Sequence, residues 1–95
     1  MTEGEAMLVK EQVLTLFQSV RQGDAEAFAV IFDQYQVAIY RYLCSLVRDQ
    51  SLAEDLAQDT FVNAYRALAR GAEAASLKAW LFTSATNTAL SHLRR

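Results

Sequence analysis

The chain has 95 residues, 53% apolar and 21% charged, with three glycines, no proline and a formal net charge of −2. That length suits one domain around a single core, and the composition lies far from a disordered profile. A pI of about 5.2 excludes a domain that holds nucleic acid by bulk positive charge, and no apolar run approaches the ~20 residues of a membrane span.

The N-terminus, MTEGEAMLVKEQ, carries acids where a secretory signal carries bases, and it has no cleavage site, which predicts a soluble cytoplasmic protein. Val9, Val13, Leu16, Phe17 and Val20 recur at helical spacing up to Gly23, so a first helix is predicted over about 5–22. Asp24 is a suitable N-cap for a second helix over 25–47. Its apolar side is Phe28, Ile31, Phe32, Tyr35, Ile39, Tyr42, Leu43 and Leu46. Ser51 and Glu54 form a Ser-x-x-Glu capping pattern that starts a third helix over 52–69. Gly71 breaks that helix, and after the loop ARGAEAAS the cap residue Ser76 opens a fourth over 77–93. Trp80, Leu81, Ser84, Ala85, Thr88 and His92 fall on one side of it. No segment alternates with period two and no hairpin turn occurs, so the fold class is all-α: a compact antiparallel four-helix domain spanning 1–95. The single cysteine, Cys44, lies inside a helical pattern and reads as a packed hydrophobe.

Charge is divided between the last two helices. From Asp49 to Asn63 there are four acids (Asp49, Glu54, Asp55, Asp59) and no Lys or Arg, whereas from Ala74 onward there are Lys78, Arg94 and Arg95 and no acid. On the third helix Ala53, Leu56, Ala57, Thr60, Phe61, Ala64, Tyr65 and Leu68 make the packing side, leaving Glu54, Asp55, Gln58, Asp59, Asn63 and Arg66 outside. Acids near a helix N-terminus are favoured by the macrodipole, so a solvated surface is the plain reading. Two features weigh against it: the carboxylates have almost no basic residue at i+4, and the amides Gln58 and Asn63 are mixed in where solubility alone would use Lys or Glu. A basic protein surface would complement this side.

The stretch AEDLAQDTFVNAYRAL, preceded by GDAEAFAVIFDQYQ and followed by LKAWLF and ATNTALSHLRR, resembles region 2 of the sigma-70 family, specifically its extracytoplasmic-function (ECF) members. The resemblance runs from about Gly23 to Arg95. It implies a sigma factor domain whose acidic and amide-bearing helix docks on the basic clamp coiled coil of the largest catalytic subunit of RNA polymerase. By motif match Asp55, Gln58, Asp59 and Asn63 are the expected clamp contacts. It further implies that the last helix and the loop before it read the minus-ten promoter element and hold the displaced non-template strand. On this chain that maps to Lys78, Phe82, Thr83, Thr86, Asn87 and Arg94. Asn87 can read a base edge, Lys78 and Arg94 can meet phosphates, and an exposed Phe82 can stack on a base. Packing against a neighbouring helix is the competing role for Phe82.

Family members commonly carry Arg at the positions of Thr83 and Thr86 and a large aliphatic at that of Ser84. Loss of those cations removes phosphate contacts, which predicts feeble DNA binding by this domain alone. The resemblance implies an anti-sigma factor as a second partner, and leaves a rival: a sigma mimic that sequesters the anti-sigma factor without touching DNA. The region 4 domain that reads the minus-thirty-five element in complete members is absent from the 95 residues, so promoter recognition by them is expected to be partial.

No enzyme is expected. Catalysis needs a convergent nucleophile, base and stabiliser or a metal cluster, and the chain has one His, one Cys and no metal or phosphate-loop motif. His92 reads as a helix-end residue, and Asp55 with Asp59 at i, i+4 lacks the further ligands a cation requires. No cofactor and no membrane partner are predicted.

Overall fold

Three helices follow one another in the computed structural model, which describes residues 18–72, 74 and 76–94: α1 (Ala25–Val47), α2 (Gln50–Ala69) and α3 (Leu77–Leu93). Each begins at a side-chain cap. Asp24 accepts from the amides of Glu26 and Ala27 at 3.0 and 3.3 Å, Asp49 from that of Leu52 at 3.1 Å, and Ser76 from that of Ala79 at 3.1 Å. Asp49 rather than Ser51 caps α2, so the helix starts earlier than the Ser-x-x-Glu pattern predicts. The physical reason lies in the chain direction: Arg48 ends α1 in the left-handed conformation (φ 56°), and the next residue is already extended and able to cap. Residues 18–21 are helical and belong to the end of the helix expected over 5–22, the rest of which lies outside the described residues.

Gly23 (φ 92°) and Gly71 (φ 100°) end their helices in the same manner. The Asp24 amide donates to the Ser19 carbonyl at 3.0 Å and the Ala72 amide to the Ala67 carbonyl at 2.9 Å. With the Gly23 and Gly71 amides donating three residues back, each end is a Schellman motif that needs a residue free of the Cβ penalty. The Arg21 guanidinium donates to the Gly71 carbonyl at 3.3 Å and ties the two glycine turns together.

The core is built from rows stepping by four. Ala27, Ile31, Tyr35, Ile39 and Leu43 supply it from α1; Ala53, Leu56, Thr60, Phe61, Ala64 and Leu68 from α2; Leu77, Leu81, Ala85 and Ala89 from α3; and Val20 from the helical residues 18–21 ahead of α1. Such i, i+4 rows are the ridges by which helices interdigitate. On α3 the row differs from the expected one. Trp80, Ser84, Thr88 and His92 are only half-buried at its flank, while Leu77 and Ala89 are buried in their place. Ala85 and Ala89 fill that buried row with small side chains, and the larger Trp80 stays at the flank. Phe32 and Leu46, also expected inside, are exposed at the margin of α1. Among the described residues there is no strand, and no helix is long and apolar enough to cross a membrane. The fold is all-α.

Candidate functional site

With its buried row facing α1 and α3, α2 is left with one outward side. Asp55, Gln58, Asp59 and Asn63 are all exposed there, together with Glu54, Val62 and Arg66. They do not all look the same way. Gln58 lines a groove of about 490 Å³ between α1 and α2, with Glu54, Ala57 and Phe61 on one wall and Phe32, Gln36, Val37 and Tyr40 on the other. Asp59 and Asn63 line a second groove of about 390 Å³, between α2 and α3, whose far wall is Ser84, Asn87, Thr88, Ser91 and His92. Asp55, one residue before buried Leu56 and four before Asp59, is exposed and lines neither. Two of the expected protein-docking residues, Asp59 and Asn63, therefore meet the expected base reader Asn87 across one cleft, while Asp55 and Gln58 do not.

The six candidate residues of α3 separate into two sets. Lys78, Thr83, Asn87 and Arg94 are exposed, and Thr83, Asn87, Leu90 and Arg94 form one ridge at helical spacing. Phe82 and Thr86 are instead half-buried and turned to α1. Phe82 meets the Tyr42 ring edge to face at 5.2 Å, and the Thr86 hydroxyl lies 2.6 Å from that of Tyr42. The Thr86 hydroxyl donates to the Phe82 carbonyl at 2.9 Å, so its one proton is used there and Tyr42 is the donor in the shared bond. Phe82 thus has the packing role that competed with base stacking. Trp80 is half-buried against the same core.

Tyr42 was placed by the sequence in the apolar row of α1, and its role in fixing Phe82 and Thr86 was not foreseen. Ser91 was missed as well, although its position four residues after Asn87 puts it on the same wall. Among the described residues no group of three His, Cys, Asp or Glu side chains is placed to hold a metal ion. Burial pushes the Tyr35 phenol up from its ordinary value of 10.0. A hydrogen bond with Cys44 does the same for Tyr40, helped by desolvation and by the nearby Cys44 and Glu54. Neither tyrosine stands among the candidate residues.

Residues 31–95, which contain most of α1 and all of α2 and α3, match the family model for sigma-70 region 2. The chain belongs to the sigma-70 region 2 family. Curated relatives of this region 2 domain include the RNA polymerase sigma-H factor of Pseudomonas aeruginosa, 38% identical over 87 residues that make up 92% of this chain and 45% of the relative. Another is the ECF RNA polymerase sigma factor BldN of Streptomyces coelicolor, 32% identical over 84 residues, or 87% of this chain and 32% of the relative. A third, the ECF RNA polymerase sigma factor SigW of Bacillus subtilis, is 30% identical over 89 residues, or 94% and 46%. The chain spans less than half the length of these relatives. The names of the second and third agree with the ECF resemblance drawn from the AEDLAQDTFVNAYRAL stretch.

Proposed function

We propose that this region 2 domain is the polymerase-docking and minus-ten-reading part of an ECF RNA polymerase sigma factor. The observation that carries the reading is the outward side of α2: Asp55, Gln58, Asp59 and Asn63 are exposed together because Ala53, Leu56, Thr60 and Ala64 hold the opposite side in the core. Carboxylates and amides at that spacing suit the basic side chains of the clamp coiled coil, through charge-assisted hydrogen bonds directed by Arg. In this reading Asp55 is the outermost contact, with Gln58 on one flank and Asp59 and Asn63 on the other. On α3, Lys78 and Arg94 meet phosphates and Asn87 reads a base edge, with Thr83 beside it on the exposed ridge. Phe82 and Thr86 contribute by shaping the helix against Tyr42. The work is done by binding energy, in the cytoplasm, and an anti-sigma factor that covers the same side of α2 is the second partner.

The test is capture of core polymerase by the wild-type domain and by an Asp55→Arg, Asp59→Arg variant. Truncating or reversing one partner of a desolvated charge pair commonly costs about 2 to 5 kcal/mol, so capture should fall by well over tenfold. Undiminished capture by the variant sinks the docking model. A fluorescent single-stranded minus-ten oligonucleotide, added to the polymerase complex, then tests Asn87→Ala against wild type. One set of observations favours a second reading, a mimic that binds an anti-sigma factor and never DNA: Thr stands at 83 and 86, and Phe82 and Thr86 face inward. Polymerase capture with no preference for the oligonucleotide would support it.

A further inference from the structure

Tyr42 holds α3 at two points one turn apart. Its ring stands edge to face on Phe82, with centroids 5.2 Å apart, and its hydroxyl donates to that of Thr86 at 2.6 Å, while the Thr86 proton goes to the Phe82 carbonyl at 2.9 Å. Both hydroxyl protons are thereby used within the contact. Apolar burial has no preferred direction, whereas a hydrogen bond weakens steeply once its angle falls below about 120°. Past fully buried Leu81 the buried row of α3 continues with Ala85 and Ala89, whose single methyl groups offer little to interdigitate.

Successive residues of a helix point about 100° apart. Thr83 follows Phe82 and Asn87 follows Thr86, so the two held residues carry the two exposed ones round with them. A turn of α3 by about 10° moves an atom at the helix's outer radius, about 5 to 6 Å, through about 1 Å. Hydrogen bonds to a base edge span about 2.7 to 3.2 Å, and a slip of that size breaks them. Tyr42 itself is half-buried and lines neither of the two grooves beside α2.

We propose that Tyr42 is a positioning residue for base reading. Its bond to Thr86 and its ring contact with Phe82 set the rotation of α3, and with it the direction in which Asn87 and Thr83 face the displaced strand. Thr86 then serves the helix rather than the DNA. This rests on the reading of α3 as the minus-ten reader, whereas polymerase docking belongs to α2 and does not pass through Tyr42.

Binding of a fluorescent single-stranded minus-ten oligonucleotide, and of a scrambled one, by the whole chain in complex with core polymerase tests the proposal. Tyr42→Phe keeps the ring and removes only the bond, so polymerase capture should match the wild type while affinity for the minus-ten strand falls about three- to tenfold. Affinity for the scrambled strand should not change. Thr86→Val should act alike, and the double variant Tyr42→Phe, Thr86→Val should be no worse than either single, because all three remove the same bond. In an Asn87→Ala background Tyr42→Phe should have little further effect, a dependence that a general loss of stability would not reproduce. Wild-type affinity in Tyr42→Phe, or a loss that persists undiminished in the Asn87→Ala background, overturns the proposal and leaves the minus-ten reading standing. So does a loss in Thr86→Val alone, which would make Thr86 a DNA contact, or a fall in polymerase capture that keeps step with the fall in strand affinity. A wild type that binds both strands equally overturns the minus-ten reading and the proposal with it.

Discussion

Asp49 and Ser51 compete for one role, and the structure awards it to Asp49, whose carboxylate accepts the Leu52 amide. Replacing Asp49 by Ala should therefore cost about 1 kcal/mol in urea denaturation, while Ser51→Ala, which removes no cap, stays within a few tenths. Thr60 shows a different economy. It is fully buried among apolar side chains, and its hydroxyl donates to the Leu56 carbonyl at 2.8 Å, so the helix itself satisfies the polar atom. Tyr35 sets an alkaline limit. Its phenol is pushed up by burial in the folded state, so above the ordinary value of 10.0 the unfolded chain loses its proton first. Stability from this group is complete below that pH and is lost as pH rises toward the folded value. Thermal melts through the alkaline range should show Tyr35→Phe losing less stability with rising pH than the wild type.

At the level of elements, α1 was legible from the sequence because its apolar row is long and its start is marked by Gly23 and the cap Asp24. The side of α3 was not, because periodicity weighs a tryptophan above alanines. Ala85 and Ala89 add little hydrophobic signal, yet both are buried while Trp80 is left half-buried at the flank. Leu81→Ala should consequently cost about 2 to 5 kcal/mol, as a fully buried leucine does. Trp80→Ala should cost less than Leu81→Ala despite its larger volume, and equilibrium urea unfolding of the two variants decides the order. The outward side of α2 was legible for the opposite reason: its residues are defined by what they do not pack against. Its division into two grooves could not be read from one helix, since it depends on where α1 and α3 lie on either side.

On the scale of the whole molecule, α1 and α3 flank α2 on its two sides, and its exposed residues divide between two clefts, with Asp55 in neither. Asp59 and Asn63 share a cleft with Asn87, while Glu54 and Gln58 share theirs with Phe32 and Val37. The polymerase reading draws on both clefts, through Gln58 on the α1–α2 side and Asp59 and Asn63 on the α2–α3 side, where it meets the DNA reading at Asn87. α1 and α2 are joined by only Arg48 and Asp49. Arg48 sits there with a positive φ that an L side chain adopts at a cost and glycine adopts freely. The corner thus holds a little unrelieved strain, which a single codon change to glycine at 48 would relax without touching either cleft.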